Sequence, residues 1–375
     1  MTRVLALVGH AWGEGGGGIA QYNRDFLGGL AGRDCVSLVE VLPRRGQRSP
    51  ATPAGIVQRK PRYAPPLYAA GAVLRALSAR WDYVFCGHLF MAPLGLIAAR
   101  LAGARLVMQT HGIEAWTRPG ALVRVACTAA NLILSVSRYT RSQVLTWTAL
   151  APERVRVLPD TFGTSFAPAA TPHRDSGAGD GSKVLLTVGR LDRREAYKGQ
   201  DRVIAALPAL IAAGYDVHYL VAGDGDDRPR LEALARHHAV AERVEFVGAV
   251  TKERLIELYR RADLFVMPST GEGFGIAFVE AMACGTPALG LGVGGACDAL
   301  GDGELGIMVR PDEDLAAAIA AQLGTPGRRG AQLSAAVEAR FGPGQFAAQA
   351  RLLFERLQIE DGHTGMGEAE GHGGY

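Results

Sequence analysis

Two glutamates eight positions apart, Glu272 and Glu280, stand inside the string PSTGEGFGIAFVEAMACGTP. A carboxylate accepts hydrogen bonds from paired hydroxyls, so one could hold a sugar and the other a ribose. Gly271, Gly273 and Gly275 would let a ligand approach the backbone closely. The helix expected after them points its free N–H groups and positive end at the same place, which suits a phosphate. Chance often supplies two acids at this spacing; the whole string is far more specific. Arg190 and Lys198 flank a second loop, GRLDRREAYKGQ. Two cations there could neutralise a diphosphate leaving group without a metal. Surface charge is the ordinary fate of such residues, and Arg193 and Arg194 are assigned to it. A third loop, GHAWGEGGGGIAQYNRDF, offers a glycine run to a phosphate or sugar. His111 ends a short apolar run and precedes Gly112. A lone histidine is usually structural, but this one falls on the edge where ligands are expected.

Each of these loops follows a short apolar run. Strands are predicted at residues 4–8, 35–42, 81–86, 105–110 and 132–136, between helical patterns. Residues 167–182, rich in Pro, Gly, Ser and Ala, read as a linker. The pattern then restarts with strands at 183–188, 217–222, 244–247 and 264–267. Helices are predicted at 200–213, 228–239, 252–262 and from 275. This alternation predicts α/β architecture with two doubly wound parallel sheets. Their ligands bind beyond the carboxyl ends of the strands. The last helix is placed at 344–357, and the glycine-rich residues 359–375 read as a disordered tail.

A chain of 375 residues with 48% hydrophobic residues and a mean hydropathy of +0.08 is long enough for two or three domains. That composition excludes disorder over most of its length. The net charge of +3 hides +11 over residues 1–170 and −8 beyond them. Five scattered cysteines without a C-x-x-C pair argue against a disulfide framework or structural zinc. No stretch reads as a signal peptide or membrane span, so a cytoplasmic protein, soluble or peripheral on a membrane, is expected. Residues 59–81 carry Arg59, Lys60, Arg62, Arg75 and Arg80 among Tyr63, Leu67, Tyr68, Val73 and Leu74. They read as a basic amphipathic surface suited to anionic lipid, with a solvated helix face as the equal alternative. The run Asp224, Asp226, Asp227 fails as an EF-hand because its twelfth position is Ala235, and reads as a helix-capping turn.

Taken together, the chain resembles the retaining glycosyltransferases of the GT-B fold in glycosyltransferase family 4 (GT4). The resemblance covers nearly the whole sequence and is strongest from 157 to 309. Its carriers are the E-x7-E motif (Glu272 to Glu280), VGRL…KG (188–191 with 198–199), VAGDGDDRPRLEAL, VEFVGAV and GGGGIAQYNRDF. It implies an N-terminal acceptor-binding Rossmann-like domain at 1–166, then the linker at 167–182. A nucleotide-sugar-binding domain follows at 183–340, with a helix at 341–358 crossing back. The two domains would face each other across a cleft.

The resemblance also implies roles. Glu272 and the backbone of Gly273, Phe274, Gly275 and Ile276 would hold the donor sugar and phosphates. Glu280 would bind the ribose, and Arg190 and Lys198 the diphosphate. His111 would contact the donor sugar, and the loop at Gly16 and Gly17 would close over the diphosphate or acceptor. The family retains anomeric configuration, needs no metal or other cofactor, and often lacks a dedicated protein base. The implied donor is GDP-mannose or a UDP-hexose. The implied acceptor is a saccharide, expected to be lipid-linked, in bacterial-type polysaccharide or glycolipid assembly, with an anionic membrane surface as partner and no nucleic acid. Two features depart from the usual pattern: the long spacer between Leu191 and Lys198, and Asp298 where Glu is commoner. An alternative is a nicotinamide-dependent oxidoreductase built on the G-x-G-x-x-G at Gly13, Gly15 and Gly18, with Glu40 as ribose acid. It is disfavoured because residues 9–12 separate the strand from the glycines and Glu40 lies within its strand. A non-catalytic nucleotide-sugar-binding homologue is disfavoured because every expected donor residue is present.

Overall fold

The computed structural model describes residues 2–13, 17–31, 36–47, 50–169, 181–324 and 327–367, without the side chains of 360–367. The chain divides into two units: one runs to Leu158 and takes in the chain from Gly344 on, and the other is Pro159–Pro343. Each is built on one parallel sheet.

The first sheet has strands β1 (Thr2–Val8), β2 (Val36–Pro43), β3 (Ile56–Gln58), β4 (Tyr83–Cys86), β5 (Arg105–Thr110), β6 (Leu132–Ser135) and β7 (Val155–Val157). Their order is β3-β2-β1-β4-β5-β6-β7. Strands β4 and β6 are buried end to end, the continuous apolar pattern that a parallel sheet covered on both faces requires. The helices are α1 (Gly18–Leu30), α2 (Pro65–Ser78), α3 (Ala92–Ala102), α4 (Ile113–Trp116), α5 (Ala121–Thr128) and α6 (Arg138–Trp147). Small side chains of α2, α3 and α5 (Ala72, Ala76, Ala98, Ala99, Ala126, Cys127) share one core with Trp81 and with Leu5, Leu7, Val84 and Leu106 of the sheet. The edge strand β3 was not expected: three residues are too few to show a pattern. Trp81, expected within a strand, precedes β4 and belongs to the core.

The second sheet has strands β8 (Lys183–Val188), β9 (Val217–Ala222), β10 (Val244–Gly248), β11 (Leu264–Met267), β12 (Ala288–Leu291) and β13 (Ile307–Val309). Their order is β10-β9-β8-β11-β12-β13. Its helices are α7 (Gln200–Ala212), α8 (Arg228–His237), α9 (Lys252–Arg261), α10 (Ile276–Ala283), α11 (Ala296–Ala299), α12 (Leu315–Gly324) and α13 (Gly330–Phe341). The final helix, α14 (Pro343–Gly367), packs on the first unit: Phe354 lies 4.5 Å from the ring of Tyr83, and Gln358 bonds the hydroxyl of Thr2 at 2.9 Å. It runs through residues 359–367, where a disordered tail was expected. Glycine costs a helix only about 1 kcal/mol per residue, so Gly362, Gly365 and Gly367 do not stop one already anchored by packing. Residues 368–375, most of the expected linker (170–180), and Cys35 lie outside the described residues.

Of the cations expected on the surface at residues 59–81, Arg59, Lys60, Arg62 and Arg80 are exposed, while Arg75 turns inward. Glu40 is buried in β2 and paired with two of the cations, Arg59 at 2.9 Å and Arg75. Burial pushes its carboxyl up, but the hydrogen bonds of Arg75 and Arg59 outweigh it and hold the group below the usual range. Arg75 is the one charged residue of α2, and it turns inward. The outer face of α2 therefore carries Leu67, Leu74 and Leu77, each at least 60% exposed.

Candidate active site

In the second sheet the chain leaves β8 toward β9 on one side, while β11 lies on the other. This is a topological switch point, where the loops after the two strands part and leave a crevice. Arg190 and Lys198 follow β8, and Glu272 follows β11.

The long spacer before Lys198 folds as a 3-10 turn, Arg193–Lys198, begun by Asp192, whose side chain accepts the N–H of Arg194 at 2.8 Å. Gly199 ends it at φ +81°, and a Cβ there would meet the carbonyl oxygen of Pro268 at 2.6 Å. Thr270 N–H donates to Tyr197 O at 2.9 Å, and the Tyr197 ring lies where a Cβ on Gly271 would touch it. The loop after β8 is thus clamped onto the loop after β11, and Lys198 lies over Gly189. Between the two cations stands Glu195, ion-paired to Arg190 and 3.0 Å from Lys198 Nζ. Sequence reasoning passed over Glu195. The unusual length of the spacer was the signal that could have found it. Arg190 is 76% exposed and Lys198 only 16%.

Glu272 is held by its backbone, its carbonyl accepting Gly295 N–H at 2.9 Å. Burial pushes its carboxyl up, against the pull of Lys198. Its Oε1 is buried without a hydrogen-bond partner in the protein. An orphaned buried oxygen is costly, and a ligand hydroxyl would satisfy it. α10 then opens from Gly275, at φ +98°, without a side-chain cap. Its first turn leaves backbone N–H groups to a ligand. Phe274 is 2% exposed and packs edge-on against Phe341 at 5.4 Å, so only its backbone can take part. Glu280 lies on α10 and accepts the hydroxyl of buried Tyr259 at 3.0 Å. Burial raises its carboxyl to about 7, with the Tyr259 bond and Lys252 working the other way. Tyr259 is a second residue that the motif did not reveal.

In the first sheet the switch point lies between β1 and β4. Gly17 caps α1 there, with open space where a Cβ would stand, while Gly16 lies outside the described residues. His111 ends β5. Its Nε2 is 3.0 Å from Gly87 O, and Tyr22 meets its ring edge-on at 5.4 Å. Burial lowers its pKa to about 4, against the charge of Glu114. The ring is therefore neutral at pH 7 and acts as a hydrogen-bonding group. Arg190, Lys198 and Glu272 share one crevice and Glu280 its adjoining helix; His111 and Gly17 belong to the other unit.

The acidic run after β9 is fully engaged. Asp226 accepts Arg193 N–H, and Asp227 pairs with Arg230 at 2.7 Å. Asp227 precedes α8 but does not cap it through its side chain. Among the described residues no group of three His, Cys, Asp or Glu could hold a metal ion, and no helix is long and apolar enough to cross a membrane. Glu40 is saturated by two arginines, which removes the ribose acid from the dinucleotide alternative.

Glycosyl transferases group 1 matches residues 170–335, and Glycosyltransferase Family 4 matches residues 16–162. A GDP-mannose-dependent alpha-(1-6)-phosphatidylinositol monomannoside mannosyltransferase of Mycobacterium tuberculosis is 30% identical over 335 residues, 82% of this chain and 85% of that protein. The chain belongs to glycosyltransferase family 4. This GT4 chain is also 31% identical over 271 residues to the D-inositol 3-phosphate glycosyltransferase of Acidothermus cellulolyticus, covering 64% of this chain and 59% of that one. For several curated relatives it spans only about half to three fifths of their length. Among solved structures, Anabaena HepE in complex with UDP and glucose aligns with a TM-score of 0.73 at 20% identity, over 95% of this chain and all of that one. The lipopolysaccharide outer core galactosyltransferase WaaB gives 0.70 at 17%, over 96% and 99%. The GT4 chain thus has the GT-B fold, two Rossmann-like parallel-sheet domains of seven and six strands.

Proposed function

We propose that this GT4 chain moves a hexose from a nucleotide sugar to a saccharide acceptor, with retention of anomeric configuration and without a metal. The observation that carries this reading is the buried, unpartnered oxygen of Glu272 beside Lys198 at the switch point of the second sheet. A sugar hydroxyl donating to Glu272 would place its anomeric carbon near the cations. Arg190, Lys198 and the start of α10 would then take up the charge that develops on the diphosphate. The bond from C1 to the phosphate oxygen breaks, the acceptor oxygen bonds C1 on the same face, and its proton passes to the leaving phosphate oxygen. Two protein cations supply the positive charge that a divalent ion supplies elsewhere. Glu280 would hold the ribose diol, with Tyr259 orienting it. His111, neutral, would bind a hexose hydroxyl.

The donor is GDP-mannose or a UDP-hexose, and the mannosyltransferase relatives weigh for GDP-mannose. The acceptor is a lipid-linked saccharide at the inner membrane surface. The outer face of the first unit supports that part. Leu67, Leu74 and Leu77 of α2, Ile97 and Leu101 of α3, and Leu122 and Val125 of α5 are all exposed, and α3 lies against both α2 and α5. The three helices contain no acidic residue. Such a face suits the interface of an anionic bilayer.

Thermal-shift screening of nucleotide sugars identifies the donor. NMR of the product with that donor reads the anomeric configuration, and turnover in EDTA tests the metal. Nucleotide-sugar binding without transfer to any lipid or saccharide acceptor and without donor hydrolysis would mark the chain as a binding homologue instead.

A further inference from the structure

At the end of the first sheet away from His111 and Gly17, the amino ends of β1, β4 and β5 border an open hollow of about 630 Å³. Thr2 opens β1, Arg105 opens β5, Arg80 and Asp82 precede β4, and Gln358 reaches in from α14; all five line the hollow. Two guanidinium groups thus face one carboxylate. Asp82 already accepts the backbone N–H of Arg3 at 2.8 Å, and Arg80 is exposed and makes no ion pair among the described residues. Gln358 donates to the hydroxyl oxygen of Thr2 at 2.9 Å, so the Thr2 proton and the Gln358 carbonyl oxygen are left to other partners. The apolar face of α2 and α3 ends at the rim. Leu77 comes three residues before Arg80, and Leu101 directly precedes Ala102 and Gly103, which also line the hollow; both leucines are exposed.

We propose that this hollow binds the phosphodiester headgroup of an anionic glycerophospholipid whose headgroup carries hydroxyls. Arg80 and Arg105 take the phosphate oxygens, which the planar guanidinium fork suits. Thr2 and Gln358 take the headgroup hydroxyls, and the acyl chains run over Leu77 and Leu101. A free anion would satisfy the arginines alone; a lipid also covers the leucines. The site rests on the membrane reading of the first unit for the source of its ligand. It lies at the amino ends of the strands, so it is separate from ligand binding at their carboxyl ends.

The probe is dihexanoyl phosphatidylglycerol, used as monomers below its micellar concentration. Isothermal titration into the full chain should show saturable binding to one site. Inorganic phosphate and glycerol 1-phosphate should bind at least roughly tenfold more weakly, because each buried methylene of the lipid adds to its affinity. Dihexanoyl phosphatidylcholine, which has neither net charge nor hydroxyls, should also bind more weakly. Arg80→Gln should weaken phosphatidylglycerol roughly tenfold, the worth of one charge-assisted hydrogen bond at an exposed position. Lys60→Gln loses the same charge from an exposed residue just past the carboxyl end of β3, and should bind as the wild type does. Both variants should keep the wild-type melting temperature. Equal binding of phosphatidylcholine or free phosphate, or equal weakening by Arg80→Gln and Lys60→Gln, would overturn the site. Flotation with phosphatidylglycerol vesicles separates the two readings. A wild type that binds the monomers without floating keeps the headgroup site and loses the bilayer. If the wild type floats and Arg80→Gln floats and binds monomers as well as it does, the headgroup site alone falls.

Discussion

The ammonium of Lys198 lies 3.0 Å from a carboxylate oxygen of Glu195, whose other oxygen pairs with Arg190. One acid thus holds both cations assigned to the diphosphate. Glu195→Gln removes a negative charge from beside the expected phosphates. A charge pair at such range near a surface is worth on the order of 1 kcal/mol or more, so GDP or UDP should bind roughly threefold to tenfold more tightly. Isothermal titration reads this directly, and weaker or unchanged binding would mean that Glu195 serves to position the cations.

Glu272→Gln and Lys198→Ala should each lower turnover by about 10²- to 10³-fold, the usual loss of an electrostatic contact made at the reacting centre. The melting temperature of Glu272→Gln should stay level or rise, because the variant neutralises a carboxyl that burial already pushes up. Near-normal turnover in either variant would sink the assigned roles.

Glu280 and His111 predict opposite pH responses. Glu280 ionises near 4.5 when unfolded and about 7 when folded. The folded chain holds an extra proton between those values, so this contribution to stability is lost as pH rises from 4.5 to 7. His111 titrates near 6.5 when unfolded and about 4 when folded. Its contribution is lost as pH falls from 6.5 to 4. Each slope approaches about 1.4 kcal/mol per pH unit at full displacement of one proton. Urea unfolding between pH 4.5 and 7.5 should therefore show Glu280→Gln gaining stability with pH relative to the wild type, and His111→Asn losing it. Parallel curves for all three proteins would refute both shifts.

Leu67→Ser, Leu74→Ser and Leu77→Ser combined should abolish flotation with vesicles containing anionic phospholipid while leaving nucleotide affinity intact. Flotation equal to wild type, or a wild type that does not float, would overturn the docking proposed for this face.

Glu40→Gln should leave two arginines without their counterion, at a cost of about 2 kcal/mol after allowance for their partial exposure. Chemical denaturation measures it, and nicotinamide cofactor binding that depended on Glu40 would reopen the dinucleotide reading.

The βαβ alternation was legible because buried parallel strands are contiguous apolar runs, as in β4 and β6. The placement of Arg190, Lys198 and Glu272 after strands followed from the same runs. What stayed hidden depends on which way a side chain turns. Arg75 counts as a surface cation in any charge tally, yet it points at Glu40. Tyr259 and Glu280 lie 21 residues apart and meet only through the packing of α9 beside α10. Glu195 sits in a short 3-10 turn, too brief to show a period in the sequence.

The inward turn of Arg75 has a mechanical meaning. A helix lying on a surface can roll about its axis, and rolling would carry Leu67, Leu74 and Leu77 toward the protein. The guanidinium of Arg75, gripped from beneath by Glu40 and flanked by the Trp81 ring at 5.4 Å, works as a key in a slot. It holds the rotation of α2, so the greasy stripe stays outermost and the chain bears that exposure in water.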